Sequence, residues 1–332
     1  MKLYINQGGQ AQGPFSEEEI HHKIYSGELA RSAYAREDGG TDWQPLEALL
    51  DHKQPPKFAD FIEPAKSAGR QNPVATPPQL RDPKEKTALV WLYIASVPVW
   101  LLLLALIVST MGIILPLIAI VWLGRAFGEM WFMAYLKTNA IRASKTQLPR
   151  PHVVAQAGCQ KLGIECPEVY VLQENVWNAF ATKIFGHRVV VLLSGAVDSI
   201  LLKGGEQELA WLVGHELGHH WAGHLDLSQK LAKVGDLFVW LALWHSRRAE
   251  LTCDRVGLYC AGSLKASQRA LINATVGAQL ADQVDPLTAA AQWQEHRREF
   301  FVRYRTLYAS HPHLLARLDH LTQAAAELNL KD

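Results

Sequence analysis

The chain is poor in cysteine and has no surplus of either charge. Its 332 residues include only four cysteines, Cys159, Cys166, Cys253 and Cys260. These are too few and too scattered for a disulfide framework, and no CxxC pair signals a thiolate zinc site. Reducing surroundings are the default for its soluble parts. Lys+Arg 33 against Asp+Glu 32 leaves a net charge of +1, so nothing global attracts nucleic acid or another polyanion, and no nucleic-acid partner is expected. Met1 to Gly13 is polar and lacks the apolar stretch of a signal peptide. With 49% hydrophobic and 20% charged residues, the chain as a whole is not disordered. Its length suggests about two folded units. The mean hydropathy of -0.03 is that of an ordinary soluble protein. That average conceals two opposite compositions.

Thr87 to Gly124 is a charge-free run of 38 residues, mostly Leu, Ile, Val, Ala and Trp. A single spanning helix needs roughly 20 apolar residues, so the run holds one span and most of a second. Ser109 to Gly112 is the candidate turn. Arg125 and Glu129 then fall at i and i+4 near the end of the second span, where they can pair or reach the interface. Arg81, Lys84 and Lys86 precede the run, and Lys137, Arg142 and Lys145 follow it. The positive-inside rule puts both flanks on the cytoplasmic side of a cell inner membrane, as a multi-pass hairpin in the lipid bilayer. A single span, a re-entrant hairpin and a buried core hairpin of a soluble protein are the other readings.

Seven of the 16 prolines lie between Gln54 and Lys84, which reads as an extended tether. Before it, Lys2 to Ile5 is a strand candidate, and Ser16 to Glu19 has the pattern of a helix-capping box. Ile20, Ile24 and Tyr25 supply an apolar stripe, and Trp43 with Leu46 to Leu50 closes the unit. Gly13-Pro14-Phe15, Glu19-Ile20, Gly27-Glu28-Leu29 and Trp43 together resemble the bacterial variety of GYF domain. The resemblance implies a proline-rich peptide partner docked on aromatics. The Gly-Tyr-Phe triplet itself is missing, and Tyr4, Phe15, Tyr34 and Trp43 read equally as core.

The chemistry lies further on. Leu209, Leu212, Val213 and Leu217 recur at helical spacing, which places His215-Glu216-Leu217-Gly218-His219 on a helix. His215 and His219 leave one face and reach one metal ion, with Glu216 beside them to take a proton from water. A hard, redox-inert ion such as zinc, one per chain, suits this set and polarises a peptide carbonyl. Glu250, 31 residues beyond His219, completes a His/His/Glu set on a second helix. Asp254, one turn later, can accept from the outer nitrogen of a ligand histidine. His220 and His224 read as helix-surface histidines or outer partners of the ligands. Arg188 to Leu193 is an apolar strand to whose edge an extended substrate can add. Trp177 and Phe180 either shape a pocket beside it or pack into the core. Leu237 to Trp244 is apolar and too short to span; it packs in the core or touches the membrane surface.

These blocks resemble the HtpX-like membrane zinc metallopeptidases, the family that includes the CAAX prenyl protease and mitochondrial OMA-type enzymes. The matching residues are Asn178 to Ala181, His215-Glu216-xx-His219, Ser246-Arg247-xx-Glu250-xxx-Asp254, and His311-Pro312 with Arg317. Cys253 stands where alanine is usual. The resemblance implies zinc endopeptidase activity on polypeptides, membrane proteins among them, in protein quality control. It makes Glu216, His311 and Asp254 the catalytic candidates, and His215, His219 and Glu250 the metal ligands. His311 is a candidate to stabilise an oxyanion or to act through a carboxylate, and Arg317 to anchor Glu250 or Asp254. The expected fold class is α+β: a mainly helical, zincin-like (gluzincin) domain with a small sheet, a helical hairpin in the membrane, and a small α+β N-terminal domain. The expected divisions are residues 1–52, tether 53–86, hairpin 87–135 and peptidase domain 136–332. Two other readings stand: a catalytically silent adaptor on a peptidase fold, and a non-peptidase zinc hydrolase with a closed pocket.

Overall fold

The computed structural model describes residues 2–7, 10–16, 19–20, 29, 33–40, 42–46, 49, 80–202 and 205–330. The chain divides into two compact units, Met1–Gln71 and Asn72–Asp332. Ile24, Tyr25, Gly27, Glu28 and nearly all of the proline-rich tether lie outside the described residues.

In the first unit, β1 (Lys2–Gln7), β2 (Gln10–Ser16), β3 (Tyr34–Glu37) and β4 (Gln44–Pro45) form an antiparallel sheet in the order β2-β1-β3-β4. Alternation along β1 sends Leu3 and Ile5 into a core with Ile20, Leu29, Ala35 and Leu46. The capping box is present: the Ser16 N–H donates to Glu19 at 2.7 Å, and the Glu19 N–H donates back to the Ser16 hydroxyl at 3.3 Å. The four aromatics divide. Phe15 packs against the core, Tyr34 is exposed, and Tyr4 and Trp43 flank the Arg36 guanidinium at 4.9 and 5.4 Å.

The second unit begins with two long apolar helices, α1 (Glu85–Ser109) and α2 (Leu115–Asn139), each long and apolar enough to cross a membrane. Twenty-five residues give each about 37 Å, against a hydrocarbon core of about 30 Å. The chain reverses between them through Met111 and Gly112, both at positive φ. Arg125 and Glu129 do pair, at 3.1 Å, and Lys230 approaches the same carboxylate at 4.0 Å.

Behind the hairpin, β5 (Ala140–Arg142), β6 (Glu168–Leu172), β7 (Ala179–Ile184) and β8 (His187–Leu193) form a mixed sheet in the order β5-β6-β8-β7. Helix α3 (Pro149–Leu162) links β5 to β6, and α4 (Ser194–Leu201) follows β8. Val189 to Leu192 of β8 are fully buried because the sheet is covered on both faces. Val189 and Val191 face the end of α2, while Val190 and Leu192 face the helical core. With β8 paired on both sides, the edges of this sheet among the described residues are β5 and β7, and β7 is the edge beside the metal helix. The sequence had pointed to β8 for that role, because its apolar run is the stronger; the run is strong because the strand is central.

The helical core is built on α5 (Glu206–Trp221) and α7 (Val239–Ala261). Helix α6 (Leu227–Ala232) and a 3-10 turn (Lys233–Leu237) connect them. Around these pack α8 (Leu264–Val276), α9 (Ala278–Ala281), α10 (Pro286–His296), α11 (Phe300–Tyr308) and α12 (Leu314–Glu327). Leu237 to Trp240 are exposed rather than in the core. The whole is a mainly helical α+β fold, as expected.

Helix α1 is seated against this core. Leu80, Asp82 and Glu85, which read as the end of the tether, are buried there. The Asp82 N–H donates to the Thr252 hydroxyl at 2.9 Å, and the Trp100 indole donates to the Leu231 carbonyl at 3.3 Å.

Candidate metal centre

The site is made where α5 and α7 cross. Their approach is set by small residues. A Cβ on Gly214 would lie 2.6 Å from Cys260 Cβ, and one on Gly218 would lie 3.0 Å from Cys253 Cα. Gly214 and Gly218 each precede a histidine of the His-Glu-x-x-His segment, so the seam that lets α7 close in also aims His215 and His219 across it.

His215 and His219 turn toward Glu250 of α7. His215 Nε2 is 3.3 Å from Glu250 Oε2, and His219 Nε2 is 3.7 Å from Oε1. His215 Nδ1 is 3.0 Å from Asp254 Oδ1. Arg317 of α12 clamps Asp254 with two donors at 2.8 and 2.6 Å. Of the two partners expected for Arg317, the structure selects Asp254. His311 Nδ1 lies 3.2 Å from Glu250 Oε2, so the late His-Pro segment reaches the site through a carboxylate. The six candidate residues are thus brought together.

Their charge states follow from burial and pairing. Burial works against a charged His215, but its bonds to Asp254 and Glu250 outweigh that and raise it to about 10. Burial pushes His219 down to about 3, leaving it neutral, although Glu250 pulls the other way. Burial would also raise Glu250, yet His215 and His311 hold it well below the usual carboxylate range. Burial, opposed by His215 and reinforced by the Glu250 charge, lifts Glu216 to about 7. Among the smaller influences on Glu216 is a hydrogen bond from the Ala181 backbone on β7, which ties it to the free strand edge.

A cavity of about 260 Å³ opens over these groups. Trp177 to Ala181, Trp211 and Leu212 are among the residues that line it, together with His215, Glu216, His219, Glu250, His311 and Arg317. Trp177 and Phe180 line the pocket and also pack against the apolar clusters beside it, so both roles open to them are present.

The other histidines among the described residues do not line this cavity. His220 Nε2 is 3.2 Å from the Val189 carbonyl, which pins α5 to β8. His224 is placed behind His219, with the two Nδ1 atoms 3.1 Å apart. Two features had no signal in the sequence. Cys253 brings its thiol to within 4.8 Å of His215 and His219 donor atoms as a second candidate set. Glu85, from the first turn of α1, reaches the far side of His224 at 3.3 Å. Between Lys84 and Lys86 in a segment read as the end of the tether, it gave no hint of a long-range partner.

The donor set fits a divalent ion. Two imidazole nitrogens and an ionised carboxylate converge, and the outer nitrogen of His215 is already engaged, which leaves Nε2 to face inward.

Comparisons with known proteins agree with this geometry. Residues 147–240 and 227–325 match the model of peptidase family M48, together more than half of the chain, and residues 4–49 match that of GYF domain 2. The plastoglobule-localized metallopeptidase 48 of Arabidopsis thaliana is 30% identical over 167 residues, 44% of this chain and 46% of that protein. Protease HtpX homologs of Ralstonia nicotianae and Ralstonia pickettii are 32% and 31% identical over 100 residues, 29% of this chain and 34% of each homolog. The chain thus spans less than half the length of these curated relatives. No solved structure matches.

Proposed function

We propose, since the chain belongs to peptidase family M48, that it is a membrane-anchored zinc endopeptidase with Glu216 as general base. His215, His219 and Glu250 hold one zinc ion. The observation that carries this reading is the convergence of both imidazole Nε2 atoms on the Glu250 carboxylate, with Glu216 alongside in one cavity.

When bound, zinc supplies Lewis-acid polarisation of a scissile carbonyl and lowers the pKa of water. The chain's own residues do the rest. The free edge of β7 receives an extended polypeptide by main-chain hydrogen bonds, which favours peptide over a small enclosed substrate. Glu216, poised near neutrality by burial, takes a proton from the attacking water and passes it to the leaving amine. Asp254, held by Arg317, fixes the tautomer of His215. His311, exposed beside Glu250, lines the same cavity and is placed to donate to developing negative charge.

The substrates are polypeptides, membrane proteins among them, in quality control. The hairpin sits in a cell inner membrane, and its basic flanks put both soluble units on the cytoplasmic side. The GYF-type unit recruits proline-rich partners, with Tyr4, Trp43 and exposed Tyr34 as the docking aromatics.

Glu216→Gln tests the chemistry. It should keep one zinc per chain and lower kcat roughly 10²–10⁴-fold on a peptide substrate. Retained hydrolysis by the metal-loaded variant would overturn the assignment. The same variant, expressed in membranes and isolated with its bound polypeptides, identifies the substrates.

A further inference from the structure

Helix α5 ends at Trp221, and the chain turns back at Gly223, whose φ is +76°. The turn brings His224 beneath His219. The His224 N–H donates to the His219 carbonyl at 3.0 Å, and the two rings meet edge to face with centroids 5.2 Å apart. Their Nδ1 atoms stand 3.1 Å apart. Such a pair is bonded only if one nitrogen carries the proton and the other accepts it.

The direction of the bond follows from the proposed metal at one end and from Glu85 at the other. With a metal ion on Nε2 of His219, as in the set proposed above, the His219 proton lies on Nδ1 and donates to His224. His224 then carries its own proton on Nε2, which is 3.3 Å from Glu85 Oε1. Glu85 is fully buried and is held from two further sides, by Arg81 at 2.5 Å and by the Thr252 hydroxyl. A carboxylate is costly to bury unless it is paired and hydrogen-bonded; here His224 lies just past the end of the metal helix, Thr252 is on α7, and Arg81 stands just ahead of α1. Arg81 also donates to the Ala222 carbonyl at 2.7 Å, which ties the same network to the end of α5.

We propose that Glu85 and His224 are positioning residues for the ligand His219, so that the first turn of the first apolar helix completes the metal centre. Glu85 fixes the tautomer of His224, and His224 fixes the tautomer and ring plane of His219. The arrangement parallels Asp254 and Arg317 behind His215, but its carboxylate comes from the membrane hairpin rather than from the peptidase helices. It rests on the metal set proposed above and assigns the peptidase unit a dependence on α1.

The test is zinc affinity of the full chain in detergent, by competition with a chromophoric chelator, together with the visible spectrum of the Co²⁺-loaded protein. His224→Phe fills the volume and removes the acceptor. Its zinc Kd should rise about 10–100-fold, with a changed cobalt spectrum. Glu85→Leu should behave alike. Glu85→Gln, near-isosteric and retaining an oxygen acceptor, should fall between parent and Glu85→Leu. A merely structural role would lower the melting temperature of the metal-free protein without moving Kd or spectrum. Should the apolar variants fail to fold, Glu85→Gln decides, with a several-fold rise in Kd expected. Affinity within twofold of the parent in the folded variants overturns the proposal and leaves the metal set standing. A parent chain that binds no stoichiometric zinc overturns both.

Discussion

Two side chains compete for the third place beside His215 and His219. The Cys253 thiol is near enough, but burial and the surrounding carboxylates push it well above the ordinary thiol pKa, so it is held protonated. Glu250 is ionised and has one oxygen toward each imidazole. Removing Glu250 should therefore weaken zinc retention by two orders of magnitude or more, while Cys253→Ala should change it less than about threefold. Metal content after dialysis against a graded chelator series separates the two; equal losses would put the thiol in the shell. The residues legible in the sequence are those whose geometry is local. His215, Glu216 and His219 follow from one helical turn, and Glu250 with Asp254 from another. Glu85 was not legible, because its meaning depends on a helix 139 residues away from His224 docking at one place. Cys253 looked like a tolerated departure because sequence spacing does not report which way a buried side chain points.

At the level of elements, the crossing of α5 and α7 sets the site. Gly214 faces Cys260 and Gly257, and Gly257 in turn lies against the Trp211 carbonyl, 2.8 Å from where a Cβ would sit. Gly214→Ala must push the helices apart, because the new methyl would meet Cys260 Cβ at 2.6 Å. Overpacking of this kind costs about 1–3 kcal/mol. The more telling effect is on chemistry. A displacement of α7 carries Glu250 away from both imidazoles, and misplacement of about 1 Å can cost about 10²-fold in rate. The expected result is a lower melting temperature together with weaker zinc binding; a melting temperature and zinc affinity equal to the parent's would show that the seam has slack. The same scale explains why the sheet was half legible. The most apolar strand announced itself, but apolar content reports burial rather than position at an edge. The edge strand β7, Ala179–Ile184, mixes small, aromatic, polar and apolar residues without a clear period and so carries a fainter signal.

Across the whole molecule, the tether, the hairpin and the peptidase core are less separable than composition suggests. The charge-free run located the hairpin, since a stretch of that length has few other uses. Composition did not reveal that the peptidase unit reaches back to Leu80, ahead of the run, because seven prolines dominate the reading there. The two ways of shortening the chain should therefore differ sharply. Deleting residues 1–71 removes the first compact unit and leaves Leu80, Asp82 and Glu85 seated. Such a chain should keep one zinc, its melting temperature, and its rate on a short unstructured peptide, while turnover of a recruited native polypeptide falls. Deleting residues 1–86 takes away a fully buried leucine, worth about 2–5 kcal/mol when truncated, together with the Glu85 network. That chain should lose zinc affinity and stability even though His215, Glu216, His219 and Glu250 are intact. Zinc stoichiometry, thermal denaturation and paired assays on both substrates decide the matter. If the shorter deletion slowed the peptide as much as the native polypeptide, the first unit would be part of the catalytic fold rather than a recruiting module. If the longer deletion kept parental zinc affinity, the peptidase core would be independent of the helix that anchors it.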